Sequence, residues 1–160
     1  MGFSFSWELD YRNILNLLET ANLPLLATER DPQSPLVFGG GPVLTANPEP
    51  YAAFFDVVLL GDGEDLLRAF VDAYAATGGV AACSTDVERT ELLMALAQVP
   101  GVYVPRLYEA CYDGDDGHIT SIKPIHRCVF VCSCCMPCLF MHAPIQRCIT
   151  YMCLHATTNR

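Results

Sequence analysis

The segment Pro35–Leu67, PLVFGGGPVLTANPEPYAAFFDVVLLGDGEDLL, decides the fold. It opens with a short apolar run, Leu36–Phe38, that stops at Gly39, Gly40 and Gly41. Glycine admits backbone angles closed to other residues and presents no side chain to an approaching ligand. Pro42 follows and fixes its own φ. A second apolar run, Val57–Leu60, stops at Gly61-Asp62-Gly63 and gives way to a helical pattern at Glu64. Two buried strands thus each end in a glycine turn. In open α/β sheets, ligands bind beyond the carboxyl ends of the strands, so both turns are candidates for one binding edge.

Working outward, strands alternate with helices. Phe3–Trp7 alternates apolar and polar residues, as a strand does. Asp10 is placed to cap a helix with Tyr11, Ile14, Leu15 and Leu18 at helical spacing, ending near Pro24. Leu25–Glu29 reads as a weak strand or irregular segment, and 30–35 as a polar loop. Pro50 suits the first turn of a short helix over Tyr51–Phe55. After Glu64 and Asp65, which favour a helix start, Leu66, Leu67, Phe70, Val71 and Tyr74 form an apolar face. Residues 75–84 are small and flexible. A further helix over Asp86–Ala97 turns Leu92, Leu93 and Leu96 inward, and 101–104 reads as a strand. Leu107–Tyr112 and Ile119–Ile122 flank Asp113–Gly117 as a hairpin. The alternation predicts an α/β fold with a Rossmann-like open parallel sheet flanked by helices, plus a small hairpin. Leu36–Phe38 and Val57–Leu60 are expected to be neighbouring parallel strands.

Composition divides the chain in two. The formal net charge is −9, yet residues 1–127 hold seven basic and 18 acidic residues, a net of −11, while 128–160 hold two arginines and no acid. Seven of nine cysteines fall in 128–160. The acidic body argues against nucleic acid, which needs clustered Lys and Arg. No run reaches the ~18 apolar residues of a membrane span, and the N-terminus lacks the pattern of a secretory signal. A body with two cysteines reads as intracellular, without a disulfide framework. Domains are expected over 1–125, an α/β body, and 126–160, a disordered or irregular Cys-rich tail.

GGGPVLTANPEP followed by FFDVVLLGDGEDLL resembles the N-terminal cobalamin-binding-like domain of a family of radical S-adenosylmethionine (radical SAM) iron–sulfur proteins. There a glycine-rich GGP turn, an Asn-Pro-Glu step and a Gly-(Asp/Glu)-Gly-Glu turn recur in this order. The likeness runs from about Ser4 to Pro124. It implies an accessory cofactor-binding module that precedes a catalytic barrel, with a cytoplasmic or plastid location. It also implies a strand–helix unit before Phe3, so the fold is expected to be incomplete at its N-terminal side. On the carboxyl side it implies a linker and barrel after Ile125, where this chain has the Cys-rich tail. That points to a truncated or misjoined coding sequence. The parent family would carry a four-iron cluster and S-adenosylmethionine, and the resemblance admits cobalamin as ligand. The alternatives are a non-catalytic binding or interaction remnant, with protein partner unknown, and a structural zinc protein.

The site residues follow from these readings. Gly39, Gly40, Gly41 and Pro42 form either a backbone cradle for a polar cofactor or a tight turn. No helical pattern opens at the third glycine, which separates the motif from the nicotinamide fingerprint. Gly61, Asp62, Gly63 and Glu64 either meet a ligand or only cap a helix. Their carboxylates disfavour a phosphate and accept hydroxyl or amide groups. Asn47 and Glu49 either face the ligand or close a proline turn. Cys128, Cys132 and Cys135 have the C-x3-C-x2-C spacing of the radical SAM cluster, although seven cysteines in this tail generate many spacings by chance. Cys132, Cys135, Cys138 and His142 offer a zinc set by ligand type. None of His118, His126, His142 and His155 stands in the Asp-x-His-x-x-Gly arrangement that ligates cobalt. Asp113–Gly117 lacks the glutamate of a calcium loop, position twelve being Pro124.

Overall fold

Apolar residues on alternate strand positions face opposite ways, and here both directions are covered. The computed structural model describes residues 1–113 and 118–125, all within one unit, Met1–Val129. Four strands, β1 (Gly2–Ser4), β2 (Phe38–Gly40), β3 (Val57–Leu59) and β4 (Val102–Tyr103), form one sheet in the order β1-β2-β3-β4. β1, β2 and β3 run parallel, with Phe38 opposite Gly2 and Val57. The expected pairing of the two glycine-ended strands is therefore present.

One face packs on helices α3 (Gly63–Ala76) and α4 (Asp86–Leu96). Leu36, Val57 and Leu59 meet Leu66, Phe70, Leu92, Leu93 and Leu96 there. The other face packs on helix α1 (Tyr11–Thr20), where Val37, Val58 and Phe5 meet Ile14, Leu18, Leu44 and Phe55. Burying one such leucine or phenylalanine contributes about 1.5–3 kcal/mol of transfer free energy. These two clusters hold the helices to the sheet.

Several expectations are corrected. β4 pairs antiparallel with β3, through Val58–Tyr103 and Leu59–Val102. Two helices, not one, separate these strands, and both pack on the same face. The first helix brings the chain back and the second reverses it again, so β4 arrives in the opposite direction. β2 lies two residues later than expected, because Gly39 and Gly40 continue the ladder opposite Val58 and Leu59. A short helix, α2 (Pro42–Ala46), does start after the third glycine, with Gly41 as its N-cap residue. Glu49–Phe54 is a 3-10 helix, as is Ala27–Glu29. Asp10 makes no side-chain cap to α1; a 3-10 turn, Glu8–Asp10, leads into the helix instead. On α3, Leu66 and Phe70 are buried but Leu67 and Val71 are exposed. α4 starts on a reciprocal cap between Thr85 and Glu88. The hairpin is β5 (Tyr108–Asp113) and β6 (His118–Pro124), joined antiparallel with an irregularity between Cys111 and Tyr112. Residues 114–117 and the tail from 126 lie outside the described residues, and with them the expected character of that tail.

An ionic triad closes the amino end of the sheet. Asp56, the residue before β3, accepts hydrogen bonds from Arg30 Nη1 at 2.9 Å, Val37 N at 2.9 Å and Arg89 Nη2 at 3.1 Å. Arg30 also donates to the carbonyls of Pro24, Leu25 and Phe54. Arg89 donates to those of Pro32 and Ser34. All three residues are buried. Burial lowers the Arg30 pKa, and the Asp56 charge opposes that.

Candidate functional site

The glycine turns lie at the carboxyl ends of β2 and β3, the opposite end from the triad. Chain direction places them there, since β1, β2 and β3 are parallel. The first turn is tied to the end of β1. Phe5 N donates to Gly40 O at 2.7 Å, and Val43 N donates to Phe5 O at 3.2 Å. Gly41 has φ +106°, and a Cβ there would lie 2.8 Å from Phe5 O. Only glycine fits that position without strain. Gly39 is also a packing glycine: an added Cβ would meet Leu44 Cδ1 at 2.6 Å and the Phe55 ring at 2.7 Å. Gly40 differs. Its added Cβ would make an ordinary 3.6 Å contact with Leu59.

The second turn follows β3. Gly61 has φ +126°, and neither it nor Gly63 would bring a Cβ within 4 Å of another atom. Asp62 Oδ1 accepts from Glu64 N at 3.2 Å, which caps α3. Glu64 and Asp65 stand exposed in the first turn of that helix.

The structure brings the two turns together. Gly61 N donates to Thr45 Oγ1 at 3.2 Å, so the second turn is bonded to the helix that follows the first. Asn47 Oδ1 accepts from Glu49 N at 3.2 Å, a local closure of the proline turn. Glu49 Oε1 accepts a 2.6 Å hydrogen bond from the Tyr103 hydroxyl on β4. Tyr103 packs in the α1-side cluster, its ring 5.2 Å from that of Tyr108. Burial, then the Glu49 carboxylate, pushes the Tyr103 pKa far above the usual phenol range. The Tyr103 hydroxyl thus donates to Glu49 and holds its carboxylate in place.

Of the expected residues, Pro42, Gly61, Asp62, Gly63 and Glu64 are exposed at this carboxyl end, and Gly40 and Glu49 are half-buried there. Gly39 and Gly41 face the protein itself, and Asn47 closes a turn. Thr45 and Tyr103, bonded to Gly61 and Glu49, join the candidate site without a signal in the sequence. Thr45 sits between two motifs with no pattern of its own, and Tyr103 has the sequence setting of an ordinary strand aromatic. The triad is missed too, although Arg89 falls on the same helical stripe as Leu92, Leu93 and Leu96, and Asp56 interrupts the apolar run FFDVVLL. A charge on an inward stripe implies a buried partner.

Two clefts lie elsewhere. One of about 520 Å³ is bounded by Asp31, Pro32, Gln33, Ser34 and Ser84. The other, about 300 Å³ and mostly apolar, is bordered by Leu36, Phe38, Phe70, Val71, Tyr74 and Val80 among others. Neither includes an expected site residue. Among the described residues, no group of three or more His, Cys, Asp or Glu is placed to hold a metal ion. Cys128, Cys132, Cys135, Cys138 and His142 lie outside those residues. No described helix is long and apolar enough to cross a membrane.

The family described as "Radical SAM proteins, N-terminal" matches residues 1–105. No curated protein sequence and no solved structure matches the chain. The match spans both glycine turns, the triad and all four strands of the sheet, and on it the chain belongs to the radical SAM proteins, through their N-terminal domain.

Proposed function

We propose that this domain is an accessory cofactor-binding module of a radical SAM iron–sulfur enzyme, and that its ligand edge is the carboxyl end of β1, β2 and β3. The observation that carries this reading is the Thr45–Gly61 hydrogen bond, which joins the two glycine turns into one continuous rim. Gly61 and Gly63 are exposed along that rim, and neither has another atom within 4 Å of where a Cβ would stand. Glu49, Asp62, Glu64 and Asp65 give it acceptors and negative charge. A phosphate is repelled there. A ligand edged with amide or hydroxyl donors is favoured; the peripheral amides of a corrinoid such as cobalamin have that chemistry, with its one phosphodiester directed away from the carboxylates. No histidine ligand to cobalt is assigned. The four-iron cluster and S-adenosylmethionine belong, on this reading, to a catalytic barrel of the parent enzyme, and no radical step is assigned to residues 1–125.

The test is titration of the 160-residue protein with hydroxocobalamin, followed in the visible spectrum. A saturable shift is expected, and Gly40→Val should abolish it. A Cβ at Gly40 makes only an ordinary 3.6 Å contact with Leu59, and a thermal melt of Gly40→Val separates lost binding from lost folding. No shift at millimolar ligand would contradict the proposal. A zinc or cluster role for the tail cysteines is a separate reading, and about one zinc or four irons per anaerobically purified chain would be its sign.

A further inference from the structure

We infer that Glu49 is the specificity-determining residue of the same edge, held by the Tyr103 hydroxyl, and that through Oε2 it selects ligands edged with amides over ligands edged with carboxylates. This rests on the proposed binding edge and adds which of its groups reads the ligand. Glu49 is anchored to the first glycine turn from both sides in sequence. Asn47 Oδ1 accepts from Glu49 N at 3.2 Å, and Asn47 N donates to Val43 O in α2. Two residues after Glu49, the Tyr51 ring packs edge-on against Phe5, with centroids 4.7 Å apart. Phe5 in turn is bonded to Gly40 O and Val43 N. The side chain is fixed as well, because Oε1 accepts from the Tyr103 hydroxyl at 2.6 Å. Burial and the Glu49 carboxylate both raise the Tyr103 pKa, so this hydroxyl keeps its proton at neutral pH. Among the described residues, none donates to Oε2. An ionised carboxylate only accepts hydrogen bonds, so the open oxygen requires a donor. The other rim carboxylates are set differently. Asp62 Oδ1 is engaged by Glu64 N. Glu64 and Asp65 are exposed, where water and salt screen their charge. Glu49 is half-buried, and electrostatic contacts strengthen where water is partly excluded. A held carboxylate of this kind discriminates in two ways at once. It accepts from an amide N–H, and it repels a carboxylate placed at the same point.

The experiment is equilibrium dialysis of two corrin probes against the full 160-residue protein. Cobinamide keeps the peripheral amides and has no phosphodiester; cobyrinic acid carries carboxylates at those positions. The variants are Glu49→Gln, Tyr103→Phe and Glu91→Gln, and thermal melts fix a temperature at which each is folded. Glu91 is the control: it is exposed on α4, the helix whose Arg89 belongs to the triad at the opposite end of the sheet. Its substitution makes the same change of net charge. The wild type is expected to prefer cobinamide about ten-fold or more, the scale of a like-charge contact near a protein surface. Glu49→Gln should cut that preference to about two-fold or less, since glutamine both accepts from an amide and donates to a carboxylate. Tyr103→Phe should narrow it by about three-fold or more, because the carboxylate is no longer held. A purely structural Tyr103 would lower stability and leave the preference alone, which would overturn its positioning role. Glu91→Gln should match the wild type. A wild type without preference, or a Glu49→Gln preference equal to the wild type's, would overturn the selecting role of Glu49 and leave the edge standing. Binding of hydroxocobalamin without binding of cobinamide would do the same. A shift in Glu91→Gln as large as in Glu49→Gln would overturn it as an effect of net charge. A wild type that binds neither hydroxocobalamin nor cobinamide would overturn the edge itself, and the role of Glu49 with it.

Discussion

Asp56 accepts hydrogen bonds from two arginines and one backbone amide at once, and all three side chains are buried. Its removal leaves two buried guanidinium groups facing each other. Breaking a buried ion pair from one side costs about 3–5 kcal/mol. Asp56→Ala should therefore lower the unfolding free energy by that amount in urea titrations, and a loss under about 1 kcal/mol would contradict the triad's role. Tyr103 is the corresponding residue at the other end. Its hydrogen bond to a carboxylate is of the stronger, charge-assisted kind, so Tyr103→Phe should cost about 1.5–3 kcal/mol. The pH dependence has a definite sign. The folded pKa of Tyr103 is raised, so its contribution is complete below the ordinary tyrosine range and is lost as pH climbs above it. Absorbance titration near 295 nm should show one late tyrosine in the native protein that is missing in Tyr103→Phe. A native titration curve identical for both proteins would contradict this.

At the scale of elements, the first glycine turn separates two kinds of glycine that are alike in sequence. Gly41 is required by its backbone angle and by the approach of Phe5. Gly40 is required, on the present account, only by the ligand. Gly41→Ala should thus destabilise the fold by about 1–3 kcal/mol. Gly40→Ala should stay within about 0.5 kcal/mol. Thermal unfolding of the two variants decides it, and equal losses would contradict the distinction. Much of the element pattern was legible. VVLL ending at Gly61 is unambiguous as a strand, and the stripe Leu92, Leu93, Leu96 as a helix face. The position of β2 was not legible, because Gly39 and Gly40 have little strand propensity of their own and are recruited by the ladder from β3. The antiparallel β4 was not legible either. Its direction depends on how two helices pack, which periodicity within each helix does not report.

At the scale of the molecule, the parallel strands polarise the domain. The amino end of the sheet is locked by the Arg30–Asp56–Arg89 triad, and the carboxyl end carries the glycine turns and Glu49. One end supplies rigidity and the other supplies access, the division that α/β sheets use for ligand sites. The candidate residues around both turns were legible because glycine and proline punctuate strands visibly. Their union through Thr45 was not, since a threonine hydroxyl bonded across 16 positions leaves no local trace. The central claim is that the two turns act as one edge. Amide hydrogen exchange by mass spectrometry, on the 160-residue protein with and without saturating hydroxocobalamin, addresses it directly. Protection is predicted together in peptides covering 39–47 and 60–66, with no change over 30–37 at the opposite end. Protection of only one turn, or of residues 30–37 instead, would contradict the account.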